Sequence, residues 1–239
     1  MSRRMPAWAG WMLALLVAGA CAALGTWQLQ RMHAKQALLD ASAQVLRERA
    51  ARPLALAADP ARARAYDWAA GRGRFAPLPP VLLDNQNRDG RPGVRAYRVF
   101  LPDPPGAPLL VELGWLPVPA DRRLPAVAVP AADAVAGLLL PPPSPGLVSP
   151  QPAVQPGGTL LVVALDPPTL ARALRLPALA PRVLRLDPGL PLGYARDLEV
   201  LPNTLPPERH LGYAVQWYAL AAAVLAIALV LTLRRGRAR

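Results

Sequence analysis

Two long runs without charged residues, one near each end of the chain, restrict the fold more than any other feature. The first covers the 26 positions before Arg31, and the second covers the 23 positions after His210. A helix of about 20 apolar residues spans the roughly 30 Å hydrocarbon core of a bilayer. We therefore predict two transmembrane helices, at 7–27 and 210–233, with aromatic residues near their outer ends as in interfacial belts.

The prolines are confined to the part of the chain between these runs. Of the 31 prolines, 30 lie from Pro53 to Pro207. Proline interrupts helices, so long helices are excluded there. The proline-free stretch 28–52 is rich in Ala, Leu, Gln and Arg, and predicts an exposed helical extension of the first span that stops at Pro53. Residues 53–209 are predicted to form one mostly antiparallel, sheet-rich α+β domain.

Short apolar segments within 53–209 predict its strands. VLLDNQNRDGRPGVRAYRVFLP is typical of strand, turn and strand, with turn residues from Asn87 to Gly93. Further strands are predicted in LLVELGWLPV, AVAGLLLP, TLLVVALD, RVLRLD and DLEVL, and a helix of two or three turns in PTLARALRL. The glycines of GRGRF are expected before a strand, and PPPSPGLVSPQPAVQPGG is expected to be a proline-rich surface loop.

The charge distribution indicates the orientation in the membrane. The net charge is +12, but tails 1–6 and 234–239 hold six of the 27 basic residues and none of the 15 acidic ones, which leaves +6 between them. By the positive-inside rule both tails are expected to be cytoplasmic and the central domain extracytoplasmic, which means periplasmic in a bacterium or in the intermembrane space of a mitochondrion. The chain has no lysine-rich run and no nucleic-acid-binding motif, so nucleic acid is not an expected partner.

The first run is open to a second interpretation as a cleaved signal peptide. Two basic residues precede it, positions 18–20 are the small residues Ala, Gly and Ala, and Cys21 follows them as in a lipoprotein processing site. The apolar run continues beyond Cys21, and Trp27 then falls at the far interface, which favours a retained span. Intact-mass measurement distinguishes the two.

Catalytic patterns are scarce, which favours a protein that is not an enzyme. The only histidines are His33 and His210, and no glycine-rich phosphate loop is present. Asp84 and Asp89 flank a predicted turn and Glu112 falls in a predicted strand. We expect these carboxylates to be solvated rather than to form an acid/base pair. The single cysteine excludes an intrachain disulfide.

Polar and aromatic residues concentrate where both predicted spans leave the outer face of the membrane. Helical spacing places Trp27, Arg31 and Lys35 on one face of the first helix, with Arg31 able to lie over the Trp27 ring. On the second helix, His210, Tyr213 and Trp217 share a stripe. One interpretation is a headgroup anchor, and the other is a cofactor site in which an imidazole ligates haem iron and a guanidinium holds propionates. The residues alone leave both open.

Four stretches resemble the motifs of the Surfeit-locus family of cytochrome c oxidase assembly proteins, the Shy-type factors of bacteria. LGTWQLQRMHAK is similar to the opening motif and RHLGYAVQWYALA to the closing motif. LLDNQNRDGRPGVRAY and LLVELGWLP are similar to the two central signatures, which contain Asn85, Gly90, Gly93, Gly114 and Trp115. The motifs occur in the family's order over the whole chain. Ala34, the pair Glu112 and Leu113, and the proline-rich stretch after Pro141 depart from the family pattern.

The resemblance implies an integral membrane protein of the bacterial inner membrane that assists assembly of haem-copper cytochrome c oxidase in the respiratory chain. Its expected cofactor is haem a, bound transiently for delivery to the catalytic subunit, with His210 as the ligand of the iron. Tyr213, Trp217, Trp27 and Arg31 complete the expected site. The expected partners are the catalytic subunit, the proteins that supply haem a and the membrane.

Two other classes of protein share this topology. A polysaccharide chain-length regulator is a structural two-span protein, but its central domain is typically long-helical, which the prolines disfavour. A ligand-sensing membrane protein needs an output domain, for which the predicted tails are too short. Co-purification of oxidase subunits, as opposed to a large ring of identical copies, separates an assembly factor from a chain-length regulator.

Overall fold

The computed structural model describes residues 7–143, 151–200 and 205–237. These form two compact units. The helical unit comprises the described parts of Met1–Asp40 and Leu201–Arg239, and the sheet unit is Ala41–Val200. The α-helices are α1 (Ala7–Glu48), α2 (Pro167–Ala173) and α3 (Pro207–Arg237).

Helices α1 and α3 are long and apolar enough to cross a membrane, as the uncharged runs predicted. The prediction of a two-span membrane protein with a sheet-rich domain between the spans is thus confirmed. Helix α1 ends at Glu48, before the proline at which a stop was predicted. Arg49 adopts the left-handed conformation with φ of 43° and donates its backbone N–H to Val45 O, which is how many helices terminate.

Among the described residues of the sheet unit, nine strands form a single mixed sheet. They are β1 (Arg52–Pro53), β2 (Asp67–Phe75), β3 (Val81–Arg88), β4 (Arg91–Asp103), β5 (Leu109–Pro117), β6 (Ala134–Leu140), β7 (Ala153–Val154), β8 (Leu160–Val162) and β9 (Val183–Leu186). Their order is β1-β2-β6-β9-β5-β4-β3-β8-β7. Of the nine strand pairings among the described residues, six are antiparallel, as predicted. The other three, β1–β2, β3–β8 and β5–β9, are parallel.

An additional pairing between β2 and β4 closes five of these strands into a ring. The long strand β4 pairs with β3 through its first half and with β2 through its last residues. The ring therefore runs β2-β6-β9-β5-β4 and back to β2. At Gly73 the two strands approach so closely that a Cβ atom would lie 2.1 Å from Leu101 O. A glycine is required at this point of closure.

The predicted hairpin is present as β3 and β4. Two residues, Asp89 and Gly90, connect them, and both have positive φ angles, 52° and 74°. Positive φ at both central residues is the type I′ geometry that matches the twist of paired strands. The predictions in LLVELGWLPV, AVAGLLLP, TLLVVALD, RVLRLD and PTLARALRL correspond to β5, β6, β8, β9 and α2.

Alternating side chains place two apolar clusters against opposite faces of the sheet. On β5, Leu109, Val111 and Leu113 belong to one cluster and Leu110 to the other. The second cluster also contains Leu170 of α2, and Val45 packs against it. This period of two is the expected behaviour of a strand that is covered on both faces.

Three local predictions were wrong. The glycines of GRGRF lie inside β2, because β2 needs a residue without a side chain where it meets β4. DLEVL forms no strand over residues 197–200, and its last residue lies outside the described part of the chain. The predicted proline-rich loop contains the short strand β7, which pairs with β8, while residues 144–150 of that loop lie outside the described residues.

Candidate functional site

Within the helical unit, α1 and α3 pack along a seam of small residues. In the part of α1 that belongs to the helical unit, the buried residues are spaced alternately by four and three positions: Ala14, Ala18, Cys21 and Gly25. The buried residues of α3 follow the same heptad spacing: Pro207, His210, Ala214 and Ala221. Such spacing keeps one face of each helix towards its partner, and small side chains allow the backbones to approach closely.

Hydrogen bonds connect the two helices at three levels, a fourth joins α1 to the segment just before α3, and together they show that the helices run antiparallel. Near one end, Trp11 Nε1 donates to Thr232 Oγ1 over 3.0 Å. In the middle, the hydroxyl groups of Thr26 and Tyr218 are 2.9 Å apart. Near the other end lie a contact between Gln28 and His210, and a bond from Lys35 Nζ to the backbone oxygen of Leu205. Each of these side chains thus pairs with a polar group of the other segment.

His210 is the most distinctive polar residue of this seam. Its side chain lies at the helix interface, and the residue is only 8% exposed. Its Nδ1 atom is 2.7 Å from Oε1 of Gln28. An amide oxygen accepts a hydrogen bond, so this contact places the proton of a neutral imidazole on Nδ1 and leaves the lone pair on Nε2. Nε2 is buried and has no hydrogen-bond partner among the described residues. The geometry therefore presents an oriented imidazole with one uncommitted nitrogen.

The other predicted site residues are distributed over more than one face. Trp217 is partly buried and packs against the cluster that contains Cys21. Tyr213 is 44% exposed and Trp27 51% exposed, and Arg31 is also exposed. Gln28 of α1 contacts His210 of α3, and Lys35 donates to the backbone oxygen of Leu205, just before α3 begins. The two stripes predicted from sequence therefore contribute only part of the interface each.

The contact of Arg31 with the Trp27 ring, which helical spacing allows, is not formed among the described residues. The described residues show a cation–π contact for Arg49, whose guanidinium carbon is 4.7 Å from the centre of the Trp68 ring, and none for Arg31 over Trp27. His33 is exposed, whereas His210 is buried, so the two histidines differ in their surroundings. In the described parts of the chain, no group of three or more His, Cys, Asp or Glu side chains is placed to hold a metal ion.

Within the sheet unit, the two central motifs that resemble the family meet each other. The indole Nε1 of Trp115 donates to the backbone oxygen of Gln86 over 2.9 Å. The Trp115 ring passes beside Gly93, where a Cβ atom would lie 2.4 Å from the ring. Asn85 has a φ of 58° at a bulge of β3, and it lines a cavity of about 640 Å³ together with Gly93. The motif residues thus shape one corner of the sheet.

Glu112 is buried, so the expectation of a solvated carboxylate was wrong for this residue. It accepts hydrogen bonds from Arg95 Nη1 at 2.6 Å, Arg185 Nε at 3.1 Å and Tyr97 Oη at 3.0 Å. Tyr97 and Arg185 lie directly opposite Glu112 on the neighbouring strands. Burial raises the pKa of Tyr97 well above its ordinary value, and the negative charge of Glu112 adds to the effect. This network needs no substrate to explain it.

Asp67 forms a second buried charge cluster that sequence reasoning missed. It is 4% exposed and accepts from Arg182 Nη1 at 2.6 Å and from Arg62 Nη2 at 2.5 Å. Burial by itself would raise the pKa of Asp67, but the hydrogen bonds and charges of the two arginines outweigh it and lower the pKa. No local pattern in the sequence signals this cluster, because Arg182, which is buried with Asp67, lies 115 positions away along the chain.

The helices, the sheet and the arrangement of the motifs define a class: a two-span membrane protein with a mixed-sheet domain between its spans. Comparison with family models sharpens this, since residues 15–222 match the model of the SURF1 family. The chain belongs to the SURF1 family, which is known as a family of cytochrome oxidase assembly factors. A comparison with curated proteins gave no match.

Proposed function

We propose that this protein assists assembly of haem-copper cytochrome c oxidase by binding haem a at the helix interface and passing it to the catalytic subunit. The observation that carries the proposal is His210, with Nδ1 held by Gln28 and Nε2 without a partner. Its chemistry fits haem, because a neutral imidazole whose other nitrogen is held by an acceptor is a good ligand of iron. Haem, when bound, supplies the iron centre that this nitrogen would ligate.

The residues around His210 support a site for an anionic, planar molecule. Arg31 is exposed and free to approach a carboxylate, and Lys35 extends towards the end of α3 that carries His210. Trp27 and Tyr213 present exposed aromatic surface. Gln28 acts as a positioning residue, since it holds the orientation and the proton of the imidazole. Nε2 has no exposed surface, so a ligand must displace the side chains that cover it, which suits transient binding.

Removal of the imidazole tests the ligand role. The full chain is purified from cells that make haem a, and its absorption spectrum is recorded for the unaltered protein, His210→Ala and His33→Ala. We expect bound haem in the unaltered protein and in His33→Ala, and loss of the haem signal in His210→Ala. Absence of haem from the unaltered protein, or equal loss in both variants, contradicts the ligand role.

The positioning role of Gln28 has a separate readout. Gln28→Leu removes the acceptor and leaves the imidazole in place. We expect haem to remain detectable, with a shifted position of its absorption maxima and weaker retention during purification. An unchanged spectrum and retention would refute the role of Gln28.

The assembly role is tested independently of haem binding. A deletion strain is expected to contain less assembled haem-copper oxidase, and the catalytic subunit and the proteins that supply haem a are expected to co-purify with the full chain. Normal oxidase content in the deletion strain refutes the assembly role even if haem is bound. The protein is proposed not to be an enzyme, in keeping with its family. The mixed sheet also disfavours the chain-length regulator, whose domain is long-helical.

We propose the bacterial inner membrane as the location, with both termini cytoplasmic and the sheet unit periplasmic. The basic residues Arg234, Arg235 and Arg237 at the end of α3 support this orientation. A reporter fused to the C-terminus that is active only in the cytoplasm is expected to be active. Activity of a periplasm-specific reporter at that position would reverse the orientation.

A further inference from the structure

Arg98 differs from the other buried arginines of the sheet unit. Arg95 and Arg185 are paired with Glu112, and Arg182 with Asp67. Arg98 is 6% exposed, yet no ion pair with a carboxylate is formed by it within the described ranges. A buried cation without a counter-charge is costly, so its retention calls for an explanation.

The guanidinium of Arg98 is held in place but not saturated. Nη1 donates to the backbone oxygen of Leu78, and Nη2 donates to that of Val127. Nε is buried and has no acceptor among the described residues. A guanidinium carries five N–H groups, so donors remain after these two bonds. Burial lowers the pKa of Arg98, because the cation has lost solvent without gaining a negative neighbour.

Arg98 lines a cavity that contains further positive charge. The cavity has a volume of about 660 Å³, and Arg122, Arg123 and Thr159 also line it. Among the described residues that line it, none is Asp or Glu. Arg123 is paired with Asp121 at 3.1 Å, whereas Arg122 is exposed and has no ion pair within the described parts of the chain. Two uncompensated guanidinium groups therefore border the cavity.

The backbone supports the position of Arg122. Its φ angle is 57°, which is uncommon for a residue with a side chain, and its N–H donates to Pro119 O over 2.9 Å in a turn. The loop from Gln155 to Thr159, which also lines the cavity, is closed by two hydrogen bonds: Gln155 N–H donates to Thr159 O, and Gly158 N–H donates to Gln155 O. Both parts of the lining are thus hydrogen-bonded turns.

We propose that this cavity binds the phosphate group of a small molecule or lipid headgroup, with Arg98 and Arg122 as the charged contacts and Thr159 as a hydroxyl donor. Two unpaired guanidinium groups match the charge of a phosphate ester dianion, and guanidinium groups bind phosphate oxygens through parallel hydrogen bonds. The ligand supplies the counter-charge that Arg98 lacks. The site belongs to the sheet unit and does not depend on haem binding.

Calorimetric titration of the full chain in neutral detergent tests the proposal, with inorganic phosphate as the probe at constant ionic strength. We expect saturable binding to one site, and at least about tenfold weaker binding by Arg122→Gln, which removes a charged hydrogen-bond donor. The exposed Arg122 is chosen because its replacement leaves the buried Arg98 intact. Arg74→Gln is the matched control, since Arg74 is exposed on β2 and does not line the cavity.

The possible outcomes distinguish a specific phosphate-binding site from nonspecific electrostatic attraction of anions. No saturable binding by the unaltered protein, equal weakening in both variants, or equally tight binding of succinate overturns the proposal. Titration with glycerol 3-phosphate and with phosphatidic acid in the micelle then identifies the kind of phosphate ligand. Tighter binding of glycerol 3-phosphate indicates a soluble phosphate ester, and tighter binding of phosphatidic acid indicates a lipid headgroup.

Discussion

Replacement of Glu112 by glutamine provides a sharp test of the buried charge network. Glu112 is 1% exposed, and Arg95 and Arg185 are 9% and 2% exposed. In Glu112→Gln the two guanidinium groups stay buried while their shared counter-charge is lost. Breaking a buried ion pair from one side costs about 3–5 kcal/mol. For a chain of this size, that loss corresponds to a melting temperature lower by roughly 6–20 °C.

An exposed ion pair of the same sheet provides the control. Asp133 pairs with Arg72, and their side chains are 71% and 75% exposed. Asp133→Asn also removes one carboxylate charge, but exposed pairs contribute only about 0–1 kcal/mol. The assay is thermal unfolding of the full chain in detergent, followed by far-ultraviolet circular dichroism. If both variants melt at the same temperature, or if Glu112→Gln melts like the unaltered protein, the reasoning about burial is refuted.

Three further changes test other parts of the structure. The pKa of Asp67 is lowered in the folded protein, so its carboxylate stabilises the fold fully above the unfolded pKa of about 3.9, and this stabilisation is lost as the pH falls through the folded pKa. When the pH is lowered below about 4, the urea midpoint is therefore expected to decrease less in Asp67→Asn than in the unaltered protein. Trp115→Phe removes the indole donor to Gln86 and is expected to cost about 0.5–1.5 kcal/mol in urea unfolding. A Cβ atom at Gly25 would already lie 3.0 Å from the Tyr218 ring, so Gly25→Leu is expected to push the two helices apart near Tyr218 at a cost of about 1–3 kcal/mol. The measurement is hydrogen exchange, which is expected to be faster for the backbone near Tyr218.

Each of these changes has a matched control in the chain. For the first, Asp133→Asn is expected to keep the full pH dependence of the unaltered protein. For the second, Trp27→Phe replaces a half-exposed indole and is expected to leave the urea midpoint unchanged. For the third, Gly19→Leu adds the same side chain where no atom lies within 4 Å of the new Cβ. A control that changes as much as its partner variant contradicts the corresponding contact.

Local sequence patterns were sufficient to predict those helices and turns whose formation depends on neighbouring residues alone. Uncharged runs indicated α1 and α3, since a span needs only length and apolar composition. The β3–β4 hairpin was predicted because Asp89 and Gly90 suit the positive φ angles of its turn. The motif stretches also carried the family, which the match over residues 15–222 confirmed.

The candidate site was predictable only in part, because the face of a helix that meets its partner depends on the partner. Helical spacing grouped Trp27 with Arg31 and Lys35 as one stripe of α1. It could not show that Gln28, one position away, would contact His210. The seam of small residues was a usable signal, since Ala14, Ala18, Cys21 and Gly25 already follow heptad spacing in the sequence.

The sequence by itself thus determined the two spans, the hairpin and the family, because apolar runs, turn residues and motifs are short-range properties. The tertiary structure alone decided the closure of the sheet between β2 and β4, the burial of Glu112 and Asp67, and the burial of Arg98 without an ion pair among the described residues. Each of these depends on residues far apart in the chain meeting in space. Whether a charged side chain is solvated, forms an ion pair or is buried without one depends on these tertiary contacts, so no local sequence pattern predicts it.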